Sequence, residues 1–176
     1  MDYRLHYPAP LKWLSSIVDF ALVLAGLSII LLVFINALLR GAAGFDLAWS
    51  LEVTAFLLLW STFVGCSAAM ARGAHMRVTE VVERLFSQAA QQKLTLIINL
   101  IIAFILLTLI KTGYDISIHT WAQTTTVLYW PVGLLYASMP FGMLLSLIFH
   151  LFNIWCDYTL PAAAKTSEFD VLEDQQ

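Results

Sequence analysis

The sequence predicts an all-α integral membrane protein with four transmembrane helices and one amphipathic helix on the cytoplasmic surface. Three observations carry that prediction. Of 176 residues, 60% are apolar and only 12% charged, against about 45–50% and about 25% in soluble domains. A chain this short cannot enclose such an apolar excess in one core, so much of its surface must meet a bilayer. Four apolar stretches also reach the about 20 residues that a helix rising about 1.5 Å per residue needs to cross one. This composition excludes a soluble enzyme, and a net charge of −3 gives no reason to expect nucleic acid as a partner. Cys66 and Cys156 offer neither a disulfide framework nor a metal-binding spacing.

The first span covers about residues 17–39, interrupted only by Asp19 and Asn36. Its apolar core is about twice the usual 7–15 residues of a signal peptide, so it is read as retained. The second covers about 47–71, with Glu52 its one ionisable residue. The third covers about 94–114, and with Lys111 and Asp115 as late polar residues it can run on to Trp121. At that length it reaches about 42 Å, more than the hydrocarbon thickness, and must tilt or project. The fourth covers about 132–156. Residues 1–16, with Trp13, Tyr3 and Tyr7 beside Arg4 and Lys12, suit an interfacial segment. Residues 157–176 form an acidic tail carrying Glu168, Asp170, Glu173 and Asp174, with little to bury and an expectation of disorder. That free tail also suggests that no fused partner follows the fourth span.

Basic residues near the span ends set the orientation. Arg4, Lys12, Arg72, Arg77, Arg84, Lys93 and Lys165 share one side, whereas only Arg40 and Lys111 lie on the other. Both termini are therefore expected in the cytoplasm. Between the second and third spans, residues 77–92 place Val78, Val81, Val82, Leu85 and Phe86 at steps of three and four. That puts them on one helix face, as for a helix lying along the membrane surface. It either joins two spans or braces a partner through Val78, Val82 and Phe86.

Ionisable residues within a membrane are default functional candidates. Glu52 lies one turn inside Trp49, which marks an interface. Arg40 can reach it from the end of the first span, and Lys111 competes for it. The pair either locks the fold or couples protons or ions. Asp19 stands at the depth where Arg72, His75 and Arg77 leave the second span, forming a charge cluster or reaching water singly. His6, His75, His119 and His150 do not place two imidazoles at matching depth inside the bilayer, so a haem-bearing anchor fits poorly. No phosphate loop, nucleophile elbow or metal motif is present, and no cofactor is expected in this chain.

The order of features is nevertheless specific. Arg40 is followed by Trp49-Ser50-Leu51-Glu52, by Gly65, and by Arg72-Gly73-Ala74-His75-Met76-Arg77-Val78. In the fourth span comes Tyr136-Ala137-Ser138-Met139-Pro140-Phe141-Gly142. This resembles the small membrane subunit of TRAP transporters, the tripartite ATP-independent periplasmic transporters of bacteria and archaea. There are two departures: Leu51 stands where members often carry a further acid, and Thr79 where they often carry Asp. The resemblance implies a non-enzymatic scaffold in the inner membrane. Its partners would be lipids, a large membrane subunit holding the sodium and substrate sites, and a periplasmic substrate-binding protein. The cargo would be an organic acid such as a C4-dicarboxylate or sialic acid. Outer residues 41–46 and 119–130 could meet the binding protein. Trp121, Tyr129 and Trp130 serve there either as an aromatic belt or as binding anchors. The rival reading is a self-sufficient proton-coupled transporter using Glu52.

Overall fold

The computed structural model describes residues 7–72 and 88–159. The segment carrying His75, Arg77, Val78, Val82 and Phe86, and with it most of the expected surface helix, lies outside the described residues. So do residues 1–6 and the acidic tail from 160 onward.

Helix α1 runs Ala9–Ala43, 35 residues. It begins earlier than its apolar stretch because Pro8 and Pro10 supply pre-set helical entry geometry without needing an N–H partner. Residues 9–16, expected to precede the first span, are thus part of the same helix. The helix stops at Gly44, whose φ of 65° is left-handed and costs glycine nothing. A turn leads into α2, Ala48–Ala71. Its first turn is capped from a distance: the Leu47 N–H donates to Asn36 Oδ1 of α1 at 2.8 Å. An intramembrane asparagine therefore ties the two helices together where α2 starts, satisfying a backbone donor that the helix itself cannot.

Helix α3 runs Gln88–His119, 32 residues and hence about 48 Å long. Residues 88–92, assigned by spacing to the surface helix, instead continue this spanning helix. The fourth span is divided into α4, Val132–Tyr136, and α5, Ser138–Thr159. The interruption at Ala137 has a local cause. Pro140 has no N–H to give the Tyr136 carbonyl, so the hydrogen-bond ladder loses a rung there. Ala137 itself stays right-handed, at φ −60° and ψ −21°, so the span is interrupted there without unwinding. The fourth span, expected as one stretch over about 132–156, is interrupted to that extent. Among the described residues, four helical segments are long and apolar enough to cross a membrane: Ala9–Ala43, Ala48–Ala71, Lys93–His119 and Val132–Cys156.

Among the described residues no extensive contact joins α1 to α3. The α2–α5 interface is the most extensive, α1 packs on α2, and α3 packs on α5 and α4. The spatial order is α1, α2, α5, α3, a row with α1 and α3 at its edges. The main core cluster lies around α2 and α5 at the end of the row where α1 begins, where Tyr7, Leu11, Met70, Ala71, Phe149 and Cys156 are buried together. Its small polar members are satisfied locally. Ser67, Ser138 and Ser146 are nearly or fully buried, and each turns its hydroxyl to a carbonyl of its own chain three or four residues earlier. Such small residues let backbones approach closely, which is how helices associate where water provides no driving force.

Candidate functional site

The end of the row bearing the 44–47 turn and the 120–131 connection is the one that the charge bias assigns to the outside. Glu52 sits there, in the second turn of α2, with its carboxylate turned toward the connection between α3 and α4. Oε1 accepts from the Val127 N–H at 2.8 Å and from Thr126 Oγ1 at 2.9 Å. Oε2 accepts from the Leu128 N–H at 2.9 Å. A helical side chain leans toward its own N-terminus, which is why Glu52 reaches outward to the connection rather than sideways to a neighbouring helix. The expected partners Arg40 and Lys111 are not used: among the described residues no ion pair joins either to Glu52. The correction has a simple basis. Two backbone N–H groups and a hydroxyl compensate a carboxylate as a cation would, and the connection must satisfy those N–H groups anyway.

The connection is braced elsewhere too. The Thr125 N–H donates to the Trp130 carbonyl at 2.9 Å, and the Val132 N–H to the Gln123 carbonyl at 2.8 Å. The Trp130 N–H donates to Thr125 Oγ1 at 3.0 Å. Between them Tyr129 adopts a φ of 56°, and it is the one non-glycine residue with positive φ among those described. Of the four aromatic candidates at this end, Tyr129 is the most open, 74% exposed, with Trp121, Trp49 and Trp130 progressively less so. Trp130 is also joined to the interior, its ring meeting Phe56 edge-on at 5.6 Å. Phe56 continues through Trp60 to Phe141. Trp60 Nε1 donates to the Leu134 carbonyl at 3.3 Å, and Ser117 Oγ to the Gly133 carbonyl at 2.7 Å. Short helix α4 is therefore held from both α2 and α3.

At the opposite end the structure brings Asp19 and Arg72 together, Arg72 Nη2 lying 2.6 Å from Asp19 Oδ1. His75 and Arg77, expected beside them, lie outside the described residues. A second junction lies nearby. Tyr7 Oη donates to Asn153 Oδ1 at 2.5 Å, and Asn153 Nδ2 donates to the Met70 carbonyl at 2.8 Å. The Tyr7 ring also stacks on Phe149 at 5.9 Å. An asparagine in a span must find hydrogen-bond partners, so Asn153 is legible as an interhelical link from the sequence, whereas its partners Tyr7 and Met70 are not.

The two histidines of the described spans are each engaged with backbone. His150 is buried, with Nε2 3.1 Å from the Asn99 carbonyl of α3. Because that oxygen only accepts, Nε2 carries the proton. His119 Nδ1 lies 2.7 Å from the Asp115 carbonyl one turn earlier. Among the described residues no group of three or more His, Cys, Asp or Glu side chains converges as metal ligands would. A groove of about 250 Å³ between α1 and α2 is lined by apolar side chains, Leu22, Ala25, Phe56 and Trp60 among them, together with Ser61. The Ser61 hydroxyl is buried without a hydrogen-bond partner in the described structure.

Comparison with known proteins agrees with this architecture. Residues 29–160 match the family model described as "Tripartite ATP-independent periplasmic transporters, DctQ component". A Haemophilus influenzae protein named as a TRAP transporter small permease is 28% identical over 121 residues, covering 67% of this chain and 73% of that protein. The matched region takes in the row of spans from the second half of α1 through α5, with the Glu52 junction, the Asn36 cap and the interruption before Pro140 all inside it. On that match, over far more than half its length, the chain belongs to the DctQ component family and is a small membrane subunit of a TRAP transporter.

Proposed function

We propose that the chain is a static scaffold in the bacterial inner membrane, with both termini in the cytoplasm. It supports a large membrane subunit that carries out sodium-coupled import of an organic acid delivered by a periplasmic binding protein. C4-dicarboxylates and sialic acid are the substrate classes to try first. Sodium would be bound by the large subunit.

The observation that carries this reading is the open row of helices. Edge helix α1 exposes Phe20, Leu24, Leu27, Leu31, Phe34 and Leu38 along its length, and edge helix α3 exposes Leu100, Phe104 and Leu107. These faces can be covered by lipid on one side and by a larger membrane protein on the other. A row presents area rather than enclosing a path. Glu52, the residue on which a self-sufficient transporter would depend, has both carboxylate oxygens engaged by residues 126–128, which supports a structural part for it.

The test is purification of the tagged chain from native membranes in mild detergent, followed by reconstitution of whatever remains bound. The reading predicts one large polytopic partner at a fixed ratio. It also predicts uptake that needs a sodium gradient and the soluble binding protein together. A chain that purifies alone, or uptake indifferent to sodium, contradicts it.

A further inference from the structure

The connection between α3 and α4 is specified more closely than a linker requires. Thr125 and Trp130 close it on themselves, and Glu52 holds its middle through three donors. What this clamp raises to the surface is Tyr129, in a left-handed backbone conformation with φ 56° and its side chain 74% exposed. Tyrosine rarely adopts that conformation, and it persists only where the surroundings over-determine it; such places are commonly functional. An aromatic that only floats among lipid headgroups needs no such fixing, because a fluid interface adapts to whatever geometry it meets. A folded partner does benefit, since the ordering cost of the loop is met before contact. Tyrosine is among the side chains that most often anchor protein contacts.

We infer that Glu52 is a positioning residue for docking: it fixes residues 125–130 so that Tyr129 is presented to the soluble binding protein. The identity of that partner rests on the scaffold reading above, whereas the clamp does not depend on it. Tyr129 is the contact, and Glu52 acts through the connection.

The experiment uses the full chain with its large subunit in nanodiscs, and the soluble substrate-binding protein of the same transporter as a fluorescently labelled probe. Glu52→Ala and Tyr129→Ala should each weaken binding about three- to tenfold, the size of one anchor side chain. The double variant should be no weaker than the weaker single variant, because both changes remove one contact. Glu52→Gln, which keeps an acceptor oxygen, should recover part of the loss. Amide exchange at Val127 and Leu128 should accelerate in Glu52→Ala and stay unchanged in Tyr129→Ala. Additive losses, an unchanged affinity in Tyr129→Ala, or an effect of Tyr129→Ala on lipid attachment alone would overturn the inference. If Glu52→Ala fails to assemble, Tyr129→Ala still decides, since its side chain stands in the open. Failure of the wild-type complex to bind the probe at all would count against the partner assignment, and the exchange result would then judge the clamp separately.

Discussion

Gly142 of α5 lies so close to Phe63 of α2 that a Cβ at Gly142 would stand 2.5 Å from the Phe63 carbonyl oxygen. That distance is to backbone, which cannot swing aside. The α2–α5 interface, the centre of the row, is thus built on the absence of one methyl group. Gly142→Ala should force the helices apart and destabilise the fold by about 1–3 kcal/mol, the usual range for overpacking. Gly65 is the control, because a Cβ there meets only Leu22 Cδ2 at 3.9 Å. Thermal unfolding in detergent should separate the two, with Gly142→Ala melting lower and Gly65→Ala close to wild type. Equal melting would show that the interface is looser than the geometry states.

Tyr7 joins a segment outside the expected first span to the core. Tyr7→Phe keeps the stacked ring but leaves Asn153 Oδ1 without its 2.5 Å donor, a loss of about 1–3 kcal/mol for a buried acceptor. Tyr7→Ala should cost more, because the contacts with Phe149 and Phe152 go as well. Unfolding monitored by tryptophan fluorescence gives the ranking. A Phe variant as stable as wild type would place the Tyr7 hydroxyl outside the core.

Ser61 makes the opposite prediction. Its buried hydroxyl lacks a partner, so Ser61→Ala removes an unsatisfied group at little packing cost. Stability should be unchanged or higher by up to about 1 kcal/mol. A clear loss would mean that the hydroxyl is hydrogen-bonded in the membrane.

The Asp19–Arg72 pair is short, yet the Arg72 side chain is 50% exposed and that of Asp19 26%. Water and headgroups screen such a pair, so a double-mutant cycle with Asp19→Asn and Arg72→Gln should give a coupling below about 1 kcal/mol. A coupling of several times that size would assign the pair a fold-locking part.

The four spans were legible because a bilayer imposes length and apolarity on each crossing, and both are properties of sequence alone. The meeting of Asp19 with Arg72 was legible for a related reason: two helices joined by a tight turn must align their far ends. The partner of Glu52 was not, since sequence reasoning looks for a countercharge and the structure supplies backbone N–H groups from residues 127 and 128. Any residue type could present those groups, so no side chain announces them. The start of α1 at Ala9 was hidden by polar residues around Lys12 that a helix tolerates outside the hydrocarbon. Pro140 stood in plain view, but its consequence at Ala137 depends on which carbonyl loses its donor. The row arrangement follows from which small residues face each other, as at Gly142, and one sequence does not show that.

The central claim, that this subunit braces a transporter without transporting, is tested most directly by reconstituting the chain alone in sealed vesicles. Entry of labelled C4-dicarboxylate and sialic acid, and acidification reported by a trapped dye, would be followed under imposed sodium and proton gradients. Traces from a bracing subunit should match protein-free vesicles under every gradient. Saturable uptake or proton entry by the lone chain, abolished by Glu52→Gln, would contradict it.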